Sequence, residues 1–584
     1  MIEIKDGRKH LPFHGPPLPP APAHILKDAT AALLLYPCVP GVRPRIRRQG
    51  GCEAGNRNTF VRLPEMSSSC LAELLQCGIL RGLGNRTRAA MQQAGDSLWN
   101  EDLAPTRADQ RNWRWYHFAA LWVGMIVAVP TWMLAAGLIE QGMSALQAAG
   151  TVLLGNVIIL VPMLLIGHPG ARFGVPFAVL VRSSFGTIGA RLPALARALV
   201  ACGWYGIQTW IGGEALLTLL GIFLGSDLRG AHLPFFGIGI GQLLAFLAFW
   251  SIQLLFVRKG ILTIRRLETW TAPLKMVACF GLLWWAVDAA GGLGPIFSSP
   301  SAFAHGGPKA GQFWAVFLPS LTAMVGFWGT LALNIPDFTR FAKSQKDQVL
   351  GQTLGLPPMM GIIALISVMT TSATVVIYGE AIWDPVQLAG TLSGPFVLMG
   401  LIVIAVDTVS CNIAANLVCS AYDFASLNPA RISYRTGALF TAFIGLFMMP
   451  WKLLESTNGY IFTWLTGYGA LLGPIAGILI ADYWLVRGRE LDVEGLYQTD
   501  GPYHYGNGWN VKALFALVLG VAPNVPGFLK VSFPGQFGQI GALWSEIYVY
   551  AWFVGVAVAL VTYALLMRLG PKERDIGAAE PQSA

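Results

Sequence analysis

From Trp113 to about residue 567 the chain repeats one pattern: an apolar run of roughly 20 residues, the length that crosses a bilayer as a helix, then a short polar or basic connection. The runs read as 113–140, 144–167, 198–225, 235–257, 268–292, 312–335, 357–379, 394–420, 434–451, 458–486, 512–530 and 544–567. A soluble protein carries about 25% charged residues, whereas this one has 12% over 584 residues. That is too little charge to cover several soluble domains, so the pattern predicts an all-α integral membrane protein of twelve spans.

The net charge of +9 is distributed by loop. Arg172, Arg182, Arg191, Arg197, Arg265, Arg340, Arg431 and Arg487 fall on one side of the expected bilayer. Arg229, Lys309, Lys452 and Lys530 fall on the other. The positive-inside bias then places both termini in the cytoplasm, with the plasma (inner) membrane as the location. No basic, aromatic-studded face suggests nucleic acid. Neither CxxC nor HExxH occurs, and no GxxxxGK[ST] run supports ATP-driven transport. Gly237, Gly239 and Gly241 imitate a dinucleotide loop, but they lie in an apolar run with no preceding strand. Residues 1–98, with Pro-rich PPLPPAPA and Arg-rich RPRIRR, read as a disordered extension or an over-extended start whose natural beginning is Met91. Residues 571–584 read as a cytoplasmic tail.

Two spans are interrupted. Span one holds Gly124 and Pro130; span six holds Gly326 and Gly329 and ends at Pro336. Gly and Pro weaken the helical ladder and free backbone groups at mid-membrane depth, where they survive only if buried in protein or lining a cavity. The breaks are five spans apart and of opposite orientation. That is the spacing of a five-plus-five inverted repeat with a substrate site between the breaks. Gly469, Gly473 and Gly477 recur every fourth residue and read as a close-packing helix face.

Polar residues inside the spans are few. Trp204 and Gln208 stand four apart in span three, and Asn412 and Asn416 four apart in span eight, each pair on one helix face. An amide in hydrocarbon needs a partner, either a neighbouring helix or a ligand with amide edges. Lys275, near the cytoplasmic end of span five, is expected to snorkel. Asp337 and Arg340 are expected to organise the cytoplasmic mouth.

The run Asn334-Ile-Pro-Asp-Phe-Thr-Arg-Phe, the preceding Gly-Phe-Trp328-Gly-Thr-Leu and Asn412-Ile-Ala-Ala-Asn416 resemble the nucleobase:cation symporter-1 family. So do Asn100-Glu-Asp-Leu-Ala-Pro and the Tyr497–Asn510 loop. Over residues 99–570 the resemblance implies a transporter domain with the inverted-repeat fold of the sodium-coupled amino-acid transporters. Repeat one spans about 113–292 and repeat two about 312–486, with two extra C-terminal helices at about 512–567. It implies that Trp204 and Trp328 sandwich a planar ring while Gln208 and Asn416 bond its edge, with Asn412 and Gly329 close by. The expected cargo is a nucleobase-like ring such as uracil, allantoin or hydantoin. Flat, neutral rings of this kind suit aromatic faces and carboxamides, which offer both donor and acceptor.

The resemblance also implies a coupling cation, held by two span-eight hydroxyls and carbonyls near Met125 and Ala128. Here the hydroxyl pair is Ser410 and Cys411, and a thiol is a poor ligand for a hard cation. Sodium is the sole metal considered. The intramembrane carboxylates Glu214 and Asp407 offer a proton route instead, so coupling to H⁺ or Na⁺ stays open. No cofactor, ATP or catalytic residue is expected; protein partners and oligomeric state are not legible. The rival readings are a membrane-embedded enzyme and a non-transporting receptor of the same fold.

Overall fold

Where the long helices start and stop follows from local chemistry. Ser144 caps one by accepting from the Gln147 N–H, and the chain leaves that helix at Gly174, whose φ of +76° is the left-handed conformation glycine adopts at little cost. Ser344 caps another in the same way, and Gly379 ends it with φ +81°. The computed structural model describes residues 98–569 apart from 260 and 299, and omits the side chains of 256–270 and 272. The expectations for residues 1–97 and 571–584 lie outside the described residues.

The helices that matter for the site are, in order, α1 (Trp115–Ile126), α2 (Val129–Glu140), α3 (Ala145–Phe173), α4 (Arg191–Leu224), α5 (Ile240–Lys259), α6 (Ile261–Ala289), α7 (Phe313–Phe327) and α8 (Gly329–Asn334). They continue with α9 (Gln345–Tyr378), α10 (Pro395–Asn412), α11 (Val418–Leu427), α12 (Tyr434–Phe447), α13 (Thr466–Ile480), α14 (Val511–Val521) and α15 (Ala551–Leu569). Among the described residues, eight helical stretches are long and apolar enough to cross a membrane, and nine if α1 and α2 count as one bent span. Helices also stand at the expected fourth, fifth and ninth spans, as α5, α6 and α12, without meeting that test. α12 is short, with 14 residues, while α5 and α6 meet where the side chains are not described.

The first span breaks between α1 and α2, which meet at 61°. The chain unwinds at Val127 and Ala128, between Gly124 and Pro130 rather than at either. Pro130 falls in the first turn of α2, where a missing N–H leaves no bond unmade. The sixth span is interrupted at Trp328, between Gly326 and Gly329, yet Phe313–Asn334 still runs as a single 22-residue span. Backbone groups freed at both breaks find partners, as burial in lipid requires. Asp407 Oδ2 accepts from Val129 N–H (3.1 Å), and the Tyr460 and Ser367 hydroxyls add bonds to the first turn of α2, at Pro130 O (3.0 Å) and Trp132 O (2.8 Å). The Tyr468 hydroxyl donates to Phe327 O (3.1 Å). The two broken spans are also tied at one end. Trp113 N–H donates to Phe341 O (2.9 Å) and Lys343 N–H to Trp113 O (2.8 Å).

The glycine stripe on α13 packs as its spacing predicts. A Cβ at Gly473 would lie 2.9 Å from Trp552 O, and one at Gly477 would collide with Val556 O, both on α15. Gly239 and Gly241 stand where the backbone of Leu228 and Arg229 crosses closely, at a short hairpin of His232–Leu233 against Ile238–Gly239. Close approach is what these glycines serve there.

Asp337 does organise one end of the bundle. Its carboxylate accepts from Phe177 N–H (2.9 Å) and from Asn334 Nδ2 (2.8 Å), while Arg197 lies 3.5 Å from the buried Asp423. The segment ahead of α1 straps across the same end. Asn100 Nδ2 donates to Pro429 O (2.9 Å), Asp102 Oδ2 accepts from Tyr434 N–H (3.1 Å), and the Tyr497 hydroxyl donates to Leu103 O (2.7 Å). The motifs at 100–105 and 497–510 thus have a structural role at this end of the bundle.

Candidate functional site

Trp204 and Gln208, one turn apart on α4, face the two breaks. With Trp328, Phe327, Thr131 and Asn416 they line a small, nearly closed cavity of about 30 Å³, bounded behind by Met125 at the end of α1 and by Ala128 at the break. A water's share of liquid volume is about 30 Å³, so the walls must part to admit a ring. Both tryptophans are held edge-on by the same ring. Phe327 lies 5.4 Å from Trp204 at 86° and 4.9 Å from Trp328 at 82°. Trp122 adds a second edge contact to Trp328 at 5.1 Å. Trp204 is further packed by near-perpendicular contacts with Tyr460, Trp464 and Tyr468, so both indole planes are fixed by their neighbours.

Asn416 stands in a π-helical turn, Ile413–Leu417, that separates α10 from α11. Such turns add a residue to the helix and redirect side chains, and they recur at functional positions. The turn sets Asn416 on the cavity wall and Asn412 behind it, off the lining. The Asn412 carboxamide is fully used: its Nδ2 donates to Tyr205 O (3.0 Å) and Gln253 Oε1 (2.8 Å), and its Oδ1 accepts from Asn416 Nδ2 (2.9 Å). A backbone carbonyl cannot donate, so these contacts fix which way both asparagines are turned. Asn416 is left presenting its oxygen. Gln208 spends Nε2 on Cys411 Sγ (3.8 Å), and its Oε1 is buried with no hydrogen bond. The cavity therefore presents two carboxamide oxygens, which match ligand N–H groups.

Gly329 also lies off the cavity lining, with a virtual Cβ 3.8 Å from Trp552 and Tyr468. Its neighbour Trp328 is the residue that reaches the cavity.

The residues expected near a cation divide into two groups. Cys411 Sγ donates to Met125 O (3.7 Å), and Ser410 Oγ lies 3.2 Å from Thr271 Oγ1 of α6. One helical turn after Thr271, Lys275 does not snorkel. It is buried, and its Nζ lies 2.6 Å from Asp407 Oδ1. The reason it stays inside is this carboxylate, whose other oxygen holds Val129 N–H at the break. The pair sits on the far side of the α1–α2 break from the ring cavity, against an apolar cavity of about 210 Å³ between α2, α6 and α10. Glu214 is remote from both, and its Oε1 accepts from Gln242 Nε2 of α5 (3.0 Å). Among the described residues, no group of three or more His, Cys, Asp or Glu side chains is arranged to hold a metal ion.

With this geometry established, comparison with known proteins is decisive. A family model described as permease for cytosine/purines, uracil, thiamine and allantoin matches residues 105–565. The chain belongs to that permease family. It is 42% identical over 492 residues to a purine-uracil permease of Arabidopsis thaliana, covering 83% of this chain and 81% of that one. It is 40% identical over 482 residues to an allantoin permease of Bacillus subtilis, covering 82% and 95%. Among solved structures it resembles Mhp1, a nucleobase-cation-symport-1 family transporter, in a closed conformation with bromovinylhydantoin bound. That match has a TM-score of 0.66 and 27% identity, covering 81% of this chain and 96% of that one. A Na⁺-coupled sialic acid symporter shares the fold alone, at a TM-score of 0.55 and 12% identity. The protein is a multi-pass membrane transporter of the cation-symporter class and not an enzyme.

Sequence reasoning missed Lys275 as a buried partner and Thr131 and Phe327 as lining. Phe327 was within reach, since it adjoins Trp328 in the motif. Nothing local distinguishes Lys275 from a snorkelling lysine, because its partner is 132 positions away in the chain.

Proposed function

We propose that this permease imports a neutral, planar, nucleobase-like ring such as uracil, allantoin or hydantoin, coupled to a cation, by alternating access around the cavity between the two breaks. The observation that carries the reading is the convergence of Trp204, Trp328, Gln208 and Asn416 on one small cavity beside the unwound stretch of the first span. Indole faces take the ring's flat surface; stacking contributes about 0.5–1.5 kcal/mol beyond area burial. The carboxamide oxygens take its N–H edge, and an analogue that leaves one of them unpaired costs about 1–3 kcal/mol. Asn412 acts behind them by orienting Asn416. The names of the 42% and 40% identical relatives, a purine-uracil and an allantoin permease, support the same cargo class.

For the coupling ion the reading favours H⁺. An ammonium already neutralises Asp407, and a thiol stands where a second hydroxyl would serve sodium. A proton moving on or off the Lys275–Asp407 pair would release or restrain Val129 at the break. The ring site is linked to that hinge through Gln208, Cys411 and Met125 O. Glu214, paired with Gln242 away from the break, has no part in this reading.

The architecture proposed is twelve spans in two inverted repeats, about 113–292 and 312–486, with two further helices at 512–567. Both termini are placed in the cytoplasm of a cell with this protein in its plasma (inner) membrane, by the loop charges. Uptake of labelled uracil and allantoin into proteoliposomes tests the reading. Accumulation driven by an imposed pH gradient, with no requirement for sodium, is expected. Saturable binding without accumulation would make the protein a receptor.

A further inference from the structure

A second hydroxyl-bearing wall of the cavity has no part in the ring-and-amide reading. Thr131 is the third residue of α2, just past the break, and it lines the same cavity as Trp204 and Gln208. Its side chain is 1% exposed, and its hydroxyl makes no hydrogen bond among the described residues. A threonine in a helix ordinarily donates to the carbonyl three or four residues back. Here Ala128 O already accepts the N–H groups of Thr131 (3.1 Å) and Trp132 (3.2 Å), and the ψ of 77° at Val127 turns that carbonyl off the helix axis. The break therefore strips Thr131 of its usual partner and leaves a buried hydroxyl whose burial is costly until something bonds it.

The rest of the cavity defines what that something is. Gln208 and Asn416 both present oxygens, so they accept from ligand N–H groups. Trp328 Nε1 is also buried without a bond. An indole stacked on a ring, however, holds its N–H in its own plane, parallel to the ligand, and does not address the ligand's edge. A ring with alternating N–H and C=O groups still needs a donor for a carbonyl.

We infer that Thr131 is a specificity-determining residue whose hydroxyl donates to a ring carbonyl, so that the site selects rings bearing a carbonyl on the edge facing α2. This rests on the ring-binding reading above and names a contact within it. The cargo is thereby narrowed to cyclic ureides and imides that combine N–H donors with this carbonyl.

Competition by hydantoin and by its two single-carbonyl analogues, 2-imidazolidinone and 4-imidazolidinone, against labelled allantoin and labelled uracil tests the contact in the full-length protein in proteoliposomes. Wild type should prefer hydantoin to at least one analogue by about tenfold. Thr131→Val, which keeps the shape and removes the hydroxyl, should bring that ratio close to one by weakening hydantoin and not the analogue. Thr131→Ser should keep the ratio, which separates loss of the hydroxyl from loss of the fold. Thr330→Val, at the other threonine on the wall, should leave it unchanged. A Thr131→Val protein that binds rings and still discriminates tenfold overturns this inference alone, as does loss of the ratio in Thr330→Val instead. A wild type that binds no ring overturns the ring reading and this inference with it.

Discussion

Removing the charge at Asp407 gives the most quantitative test of how the break is held. Lys275 Nζ and Asp407 Oδ1 lie 2.6 Å apart with side-chain exposures of 3% and 7%. With an effective dielectric of about 20, unit charges at that distance attract by about 6 kcal/mol. Taking both ions out of water offsets most of this, so the intact pair contributes little net stability. Orphaning one member costs about 3–5 kcal/mol. Asp407→Asn and Lys275→Met are therefore each expected to destabilise the protein by an amount in that range. The double variant Lys275→Met/Asp407→Asn, which buries no charge and keeps an amide oxygen to accept from Val129 N–H, should return close to wild-type stability. Thermal unfolding followed by loss of the monodisperse chromatographic peak reads the first quantity. Proteoliposome uptake reads the second: the double variant should exchange internal for external substrate and fail to accumulate it under a pH gradient. A double variant as unstable as either single one, or one that concentrates substrate as wild type does, refutes the reasoning.

Three further outcomes follow from the same geometry. Trp328→Ala should abolish ring binding with the fold retained, and unchanged substrate-dependent tryptophan quenching in that variant counts against the sandwich. Cys411→Thr restores a second hydroxyl beside Met125 O and should confer sodium-stimulated uptake; uptake indifferent to sodium would show that the thiol does not set the cation. Gly477→Leu drives a side chain into Val556 O on α15 and should cost roughly 1–3 kcal/mol as an overpacked contact, read as a lowered unfolding temperature with substrate affinity unchanged in the protein that survives.

How far the chain could be read depended on the range of each interaction. Apolar length and loop charge are summed over many residues, so the membrane class and the order of the segments were legible. So were the two interrupted spans, because Gly and Pro act on their own backbone. The bend itself fell at Val127 and Ala128, which carry no breaking residue, since a tertiary partner, Asp407, decides where the freed Val129 N–H is bonded. Asn412 and Asn416 were legible as a pair but not as wall and support, because their division of labour depends on a π-helical turn with no sequence signature. Lys275 was misread for the same reason. A lysine near a span end snorkels unless a carboxylate from another helix meets it.

The central claim is that one ring lies between Trp204 and Trp328 with its edge on Gln208 and Asn416. The most direct measurement is the anomalous signal of bromine in crystals soaked with 5-bromouracil. A single peak at the cavity between the two indoles is the predicted result. A peak elsewhere in a protein that transports the compound, or indoles that do not flank it, would contradict the account.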